Sequence, residues 1–294
     1  MKIDITNSQR AEVLTQALPY IQKYYGKIVV VKYGGNAMIN ETLKHQVMED
    51  IVLLHLVGVK VVLVHGGGPE ITDMLSKVGK KSEFYNGLRV TDKETAEIVQ
   101  MVLAGKINKD LVNLLEKNGG RAVGLSGIDG GMIECEMKDE NLGFVGKIKK
   151  VNVTPITDLL EKGYIPVIST VGYDKKGNVY NINADTVSAY IAGAMSATRL
   201  ITMTDIAGIL RDKDDPSSII REIDIEGCKE LFEKEIISGG MIPKVECCID
   251  AINRGVRKVI ILDGRVPHAL LIETLTDEGA GTMVVPDFKK HAKF

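Results

Sequence analysis

Uninterrupted apolar runs such as Ile28-Val29-Val30-Val31 and Val61-Val62-Leu63-Val64 recur along the chain. Runs of this kind mark strands buried on both faces of a parallel sheet. Residues 28–33, 60–65, 121–125, 164–170, 199–204 and 258–263 read as such strands. Between them, residues 44–57, 93–117, 154–162 and 185–195 place apolar side chains at helical spacing. Strand and helix in alternation predict βαβ units with helices on both sheet faces. The expected fold is α/β, a three-layer αβα sandwich with a mainly parallel open central sheet, two lobes and an extra N-terminal helix. Shorter pieces at 132–136, 179–182, 208–211 and 281–285 read as hairpins or edge strands, and Asp212 to Ser218 as an exposed loop. The polar turn Tyr173 to Asn178 is the expected passage between the lobes.

Ahead of the first strand, Ala11, Leu14, Leu18, Ile21 and Tyr25 recur at helical spacing, with Thr6 and Gln9 suited to a capping box and Pro19 predicting a kink. This segment, residues 1–25, stands outside the sheet. It reads equally as a surface helix folded on its own subunit or as an oligomerisation arm.

Composition narrows the function classes. At 294 residues with a formal net charge of −2, the chain lacks the basic footprint of a nucleic-acid binder. No apolar run is long enough to span a bilayer and the polar N-terminus does not read as a signal peptide. Cys135, Cys228, Cys247 and Cys248 fit neither a zinc spacing nor a disulfide framework, so they read as reduced thiols of a cytoplasmic protein. The chain has no P-loop, no dinucleotide-binding glycine fingerprint and no nucleophile elbow.

The candidate chemistry lies where strands run into glycines. Lys32-Tyr33-Gly34-Gly35 and His65-Gly66-Gly67-Gly68 each end an apolar run. Glycine lets main-chain N–H groups close on a ligand, and Pro69 opens a helix whose N-terminus attracts anions. Lys32 adds a cation beside the first loop. His65 reads as a residue that shapes its loop by a local hydrogen bond. Lys244 opens another helix after Gly239-Gly240, where a cation opposes the helix dipole unless an anion joins it. Asp185, in Asn181-Ile182-Asn183-Ala184-Asp185, fits a polar site or a helix N-cap, a duty Asn183 can equally take. Arg89 has the fork geometry that clamps a carboxylate. Thr204-Asp205 ends a further strand, where α/β sheets bind ligands.

In order along the chain, Lys32-Tyr33-Gly34-Gly35, His65-Gly66-Gly67-Gly68, Asn86-Gly87-Leu88-Arg89-Val90-Thr91, Asn181-Ile182-Asn183-Ala184-Asp185, Thr204-Asp205-Ile206-Ala207-Gly208 and Gly240-Met241-Ile242-Pro243-Lys244 resemble the amino acid kinase family. Within it they resemble the members whose acceptor is N-acetyl-L-glutamate, and the likeness runs from about residue 26 to residue 285.

The resemblance implies transfer of the γ-phosphoryl group of ATP, with Mg2+, to the acceptor's side-chain carboxylate in arginine biosynthesis. It assigns catalysis to Lys32, Lys244 and Asp185, and acceptor binding to Gly67, Gly68, Arg89 and Asn181. Nucleotide binding falls to Gly34, Gly35, Thr204, Asp205, Gly208, Leu210, Ile236 and Ser238, with no protein ligand to metal. Residues 26–172 become a lobe for the acceptor and for dimerisation, and 173–294 a lobe for ATP. It further implies inhibition by L-arginine near His268, Glu278 and Gly279, and a hexamer assembled as a trimer of dimers. Another acylphosphate-forming member of the family, or a non-catalytic sensor on the same fold, are the alternative expectations.

Overall fold

A computed structural model describes residues 6–288. The chain begins with α1 (Asn7–Gln16), α2 (Leu18–Tyr24), β1 (Ile28–Tyr33), α3 (Asn36–Ile39), α4 (Glu41–Leu56), β2 (Lys60–His65) and α5 (Gly68–Lys77). A hairpin of β3 (Phe84–Tyr85) and β4 (Leu88–Arg89) leads to α6 (Lys93–Gln100), a π-helical stretch (Met101–Ile107) and α7 (Asn108–Lys117). Then come β5 (Ala122–Ser126), β6 (Ile133–Met137), β7 (Gly146–Val151), α8 (Thr154–Glu161), β8 (Ile165–Ser169), β9 (Val171–Tyr173) and β10 (Val179–Asn181). The remainder is α9 (Ala184–Ala194), β11 (Arg199–Thr204), β12 (Glu222–Asp224), α10 (Ile225–Glu233), α11 (Ile242–Asn253), β13 (Val259–Asp263), α12 (Ala269–Leu275) and β14 (Gly281–Val285).

The apolar runs form the middle of an 8-stranded sheet in the order β12-β14-β13-β11-β1-β2-β8-β5. Neighbouring strands are parallel except β13 and β14. Alternate residues of β1 point to opposite faces. Val29, Val31 and Tyr33 join Val61 and Leu63 in a core shared with α4 and α7. Val30 joins Val62, Val64 and Leu200 in a core shared with α9 and α11. Both faces are therefore dry, which is why these strands carry no polar alternation. β1, β2, β8 and β5 come from residues before 172, and β11, β13, β14 and β12 from residues after 173, so the halves of the sheet meet between β1 and β11. A 4-stranded sheet, β10-β9-β6-β7, stands apart.

Some expectations change. The N-terminal segment is not one kinked helix but α1 and α2, separated at Ala17, and Pro19 sits in the first turn of α2 where its missing N–H costs nothing. The capping box of Thr6 and Gln9 forms. Residues 93–117 are helical throughout, but with a π-helical turn in the middle. Residues 208–211 form no strand. Gly208 takes φ +146°, the Thr282 hydroxyl accepts the Ile209 N–H at 2.8 Å, and only Leu210 makes a bridge, to Ile219. β14 is an interior strand between β12 and β13 rather than an edge. The turn Tyr173 to Asn178 is the tip of the β9–β10 hairpin, which returns the chain to the smaller sheet instead of passing it between lobes. Cys135, Cys228 and Cys248 are buried free thiols and Cys247 is half-buried, as packing residues. Among the described residues no helix is long and apolar enough to cross a membrane.

Candidate active site

Parallel pairing brings the C-terminal ends of β1, β2 and β11 to one edge of the sheet. Lys32 stands level with Val64 of β2 and Thr202 of β11, and Tyr33 level with His65. Ligands of open α/β sheets bind at such ends. Here the edge opens into a cavity of about 320 Å³ whose lining includes Lys32, Gly34, Gly67, Arg89, Asn181 and Asp185.

Lys32 is nearly buried, and its Nζ lies 3.0 Å from Asp185 Oδ1. It also donates to the Met203 carbonyl at 3.3 Å. Asp185 is available for this pairing because Asn183 caps α9, its side chain accepting the Thr186 N–H at 3.1 Å. Burial works to raise the Asp185 pKa. The charges of Lys32 and Lys244 and the hydrogen bond from Lys32 outweigh it and hold the carboxyl below its usual range. Lys244, in the first turn of α11, makes no ion pair among the described residues, yet its charge reaches Asp185. Lys32 thus holds the carboxylate by contact from β1, and Lys244 acts on it by charge from the start of α11, outside the residues that line the cavity.

Each glycine loop has a steric reason for its composition. Gly35 has φ +74°, and a Cβ there would fall 2.4 Å from Asp205 Oδ1. A Cβ on Gly34 would sit 3.0 Å from Lys32 Nζ. Gly67 caps α5, and a Cβ there would meet Ile107 Cδ1 of the π-helical stretch at 2.1 Å. The N–H groups of Gly67 and Gly68 have no acceptor among the described residues, so they remain free to bind an anion at the helix start.

Arg89 is 7% exposed and borders the same cavity. Its guanidinium donates to Ser82 Oγ, to Thr72 Oγ1 at 2.8 Å and to the Gly68 carbonyl at 3.0 Å, and lies over the Phe84 ring. Those partners are all neutral. No acid pairs with Arg89 among the described residues, and burial lowers its pKa. A buried cation without a counter-ion is costly, and an anionic ligand relieves that cost. Asn181 reaches the site from β10, its Nδ2 3.4 Å from Thr91 Oγ1, which in turn donates to the Arg89 carbonyl at 2.8 Å.

The remaining expected residues divide. Thr204 ends β11 and Asp205 lies against Gly35, which lines the cavity, though neither residue lines it itself. Gly208 packs on Thr282, and Leu210, Ile236 and Ser238 lie on segments that do not border the cavity. His268 and the Glu278–Gly279 pair fall at opposite ends of α12, a helix about 10 Å long at ~1.5 Å per residue. His268, in a left-handed conformation, pairs with buried Asp50 at 2.6 Å. Glu278 is exposed, and Gly279 adjoins Glu273, which pairs with Arg199 at 3.2 Å. Ser82, Thr72 and Asn108 were not singled out from the sequence. Their polar side chains gain meaning only from what the fold sets beside them.

A model of the amino acid kinase family matches residues 27–263. An acetylglutamate kinase of Clostridioides difficile is 56% identical over 279 residues, spanning 95% of this chain and 98% of the relative. An acetylglutamate kinase of Brachyspira hyodysenteriae is 54% identical over 286 residues, spanning 97% and 99%. The crystal structure of smu.665 from Streptococcus mutans UA159 superposes with a TM-score of 0.73 at 28% identity, covering 88% of this chain and 99% of that one.

Proposed function

The chain belongs to the amino acid kinase family, and from that premise we propose that it phosphorylates the side-chain carboxylate of N-acetyl-L-glutamate with Mg-ATP, giving N-acetyl-L-glutamyl 5-phosphate for arginine biosynthesis in the cytoplasm. The observation that carries the reading is Arg89, a buried guanidinium whose partners among the described residues are all neutral, in the same cavity as the Lys32–Asp185 pair. It suits the α-carboxylate of the acceptor, leaving the side-chain carboxylate to point toward Lys32.

The chemistry needs little more. A side-chain carboxylate, with a pKa near ~4.3, is already ionised at neutral pH, so no general base is required. The task is to bring an anion against a polyphosphate, which is a matter of position and charge. Lys32 and Lys244 neutralise the transferring group, and Asp185 orients Lys32. Gly67 and Gly68 supply N–H donors to the acceptor, and Asn181 holds its acetamido end. Gly34, Gly35, Thr204 and Asp205 flank the phosphates, with Gly208, Leu210, Ile236 and Ser238 toward the base. Magnesium belongs to the nucleotide substrate, carried by phosphate and water oxygens. On this reading the half built from residues 26–172, joined by Asn181 of β10, takes the acceptor, and the rest of 173–294 takes ATP.

Arginine as a feedback inhibitor and a hexamer assembled as a trimer of dimers belong to the same proposal. α1 buries none of its side chains, and Val13, Leu14 and Leu18 are exposed, a face that a second copy of the chain can cover. Tyr24 of α2 packs beneath Arg199, which pairs with Glu273 of α12. Glu273 in turn accepts the Ala280 N–H at 2.9 Å, beside Glu278 and Gly279. The arm is thus connected to the segment assigned to arginine, together with His268.

A substrate panel tests the reading. ADP release is expected with N-acetyl-L-glutamate, to fall when arginine is added, and to be absent with free L-glutamate, L-aspartate or carbamate. Release with free aspartate points to another acylphosphate-forming kinase. No release with any of them points to a sensor.

A further inference from the structure

His65 is fully buried beside the acceptor loop, and phosphoryl transfer to a carboxylate gives it no proton to move. Its surroundings nevertheless settle where its own proton resides. Asn108 Nδ2 lies 3.2 Å from His65 Nε2, 2.9 Å from the Val167 carbonyl and 3.2 Å from the Leu125 carbonyl. Asn108 Oδ1 accepts from Lys109 Nζ at 3.1 Å. The opposite amide orientation would set an oxygen against those carbonyl oxygens, so the NH₂ group faces the imidazole. An amide NH₂ only donates, its two hydrogens here shared among three acceptors, and a protonated Nε2 would set donor against donor. His65 Nε2 is therefore the acceptor, and the ring proton sits on Nδ1, which lies 2.9 Å from the Gly66 carbonyl and donates to it.

The same helix supports the loop a second time. Ile107 and Leu103 of the π-helical stretch pack where a side chain on Gly67 would otherwise be, and Asn108 follows directly. Helix, imidazole and glycine loop form one connected layer behind the cavity.

We propose that Asn108 and His65 are positioning residues for the acceptor: Asn108 fixes the imidazole as its Nδ1–H tautomer, the imidazole holds the Gly66 carbonyl, and the loop so held presents the Gly67 and Gly68 N–H groups to the acceptor. The inference rests on the assignment of this loop to the acceptor. Burial also keeps the ring neutral. It pushes the His65 pKa down to about 4 against the Gly66 hydrogen bond, and the nearby Lys109 charge pushes the same way.

Nitrogen-15 NMR of the full chain labelled at its 5 histidines tests the tautomer without any substrate. The resonance lost in His65→Asn identifies the ring. It is expected to show a protonated Nδ1 and a bare Nε2, unchanged between about pH 5.5 and pH 8. A protonated Nε2, or titration near the ordinary histidine value, overturns the proposal.

Kinetics then test the role. His65→Leu removes the donor to Gly66 and is expected to raise the acceptor KM by about tenfold, the worth of one hydrogen bond, with the ATP KM nearly unchanged. His65→Asn places an amide donor near the former Nδ1 and should restore most of that loss. A wild-type acceptor KM in His65→Leu, or no rescue by asparagine in a folded variant, contradicts the positioning role. If the wild-type chain shows no turnover of N-acetyl-L-glutamate, the functional assignment fails instead, and the tautomer measurement stands apart from it.

Discussion

Lys32 Nζ stands 3.0 Å from Asp185 Oδ1, joining the end of β1 to the first turn of α9 in the lining of the cavity. Glycine at position 34 leaves that ammonium its space, since a Cβ there would fall 3.0 Å from Nζ. In the proposed reaction Lys32 meets charge that develops on the transferring group. Lys32→Ala is expected to lower kcat by about 10²–10³-fold, the effect of deleting one preorganised donor, while the acceptor KM moves far less. Lys32→Arg should not recover the loss, because a planar guanidinium cannot place its charge where the compact ammonium sits between Asp185 and the Met203 carbonyl. Steady-state kinetics decide this. Near-wild-type turnover in Lys32→Ala contradicts the role.

Arg89 makes a different prediction because its partners among the described residues are neutral and, in the proposed reaction, it binds the acceptor already in the ground state. Arg89→Lys keeps a charge but loses the planar fork. The acceptor KM is expected to rise by about 10- to 100-fold, in line with about 1.5–3 kcal/mol for hydrogen bonds to a charged group, with kcat largely retained. A loss confined to kcat would place Arg89 at the transferring group instead.

Gly67 and Gly68 should separate in a thermal melt. A side chain at Gly67 must displace Ile107 and Leu103, whose atoms lie 2.1 and 2.8 Å from the Cβ position. Overpacking of this kind costs about 1–3 kcal/mol, so Gly67→Ala should melt lower. Nothing lies within 4 Å of a Cβ on Gly68. Gly68→Ala should melt close to the parent, since nothing obstructs the methyl and the first helical position before Pro69 gains little from alanine's helix preference.

Asp50 couples stability to pH. Burial pushes its carboxyl up to about 6, against the opposing pull of His268. Its unfolded value is near ~3.9, so between those values the folded state binds more protons than the unfolded state. Stability contributed by this group is then highest below about pH 4 and falls as pH rises toward 6, by about 3 kcal/mol. Asp50→Asn lacks that fall. Urea unfolding at pH 4 and pH 7 should show the variant gaining on the parent by that order at the higher pH, whereas a constant difference contradicts the assignment. Asp185 has the opposite sign. Its lowered pKa gives stability that is present above the unfolded value and is lost as pH falls through the folded one.

Deleting residues 1–16 removes α1, which buries nothing in its own subunit, and leaves Tyr24 against Arg199. Light scattering is expected to show a smaller assembly with kinase turnover retained and arginine inhibition lost. An unchanged mass would assign α1 to some other role.

Much of the fold was legible because a strand buried on both faces leaves an uninterrupted apolar run, as at Val29 to Val31 and Val61 to Val64. The glycine loops were legible for the same reason, since each follows such a run. Pairings between distant segments were not. Nothing local states that Asn183 rather than Asp185 caps α9, and the choice is settled only when Lys32 arrives from β1. Asn108 was hidden in a helical pattern whose apolar residues Leu103, Ile107 and Leu111 account for the buried face. One inward polar residue among them carries no signal of its own until His65 packs against it. At 208–211 the apolar pattern suggests a strand, but the Thr282 hydroxyl takes the backbone donor that pairing needs.

The central claim is that this site makes an acyl phosphate from N-acetyl-L-glutamate. Incubating the purified protein with Mg-ATP, N-acetyl-L-glutamate and hydroxylamine traps that product as a hydroxamate. Hydroxamate is expected in step with ADP, dependent on the N-acetyl group and lost in Lys32→Ala. ADP release without hydroxamate, or equal hydroxamate from free aspartate, would contradict it.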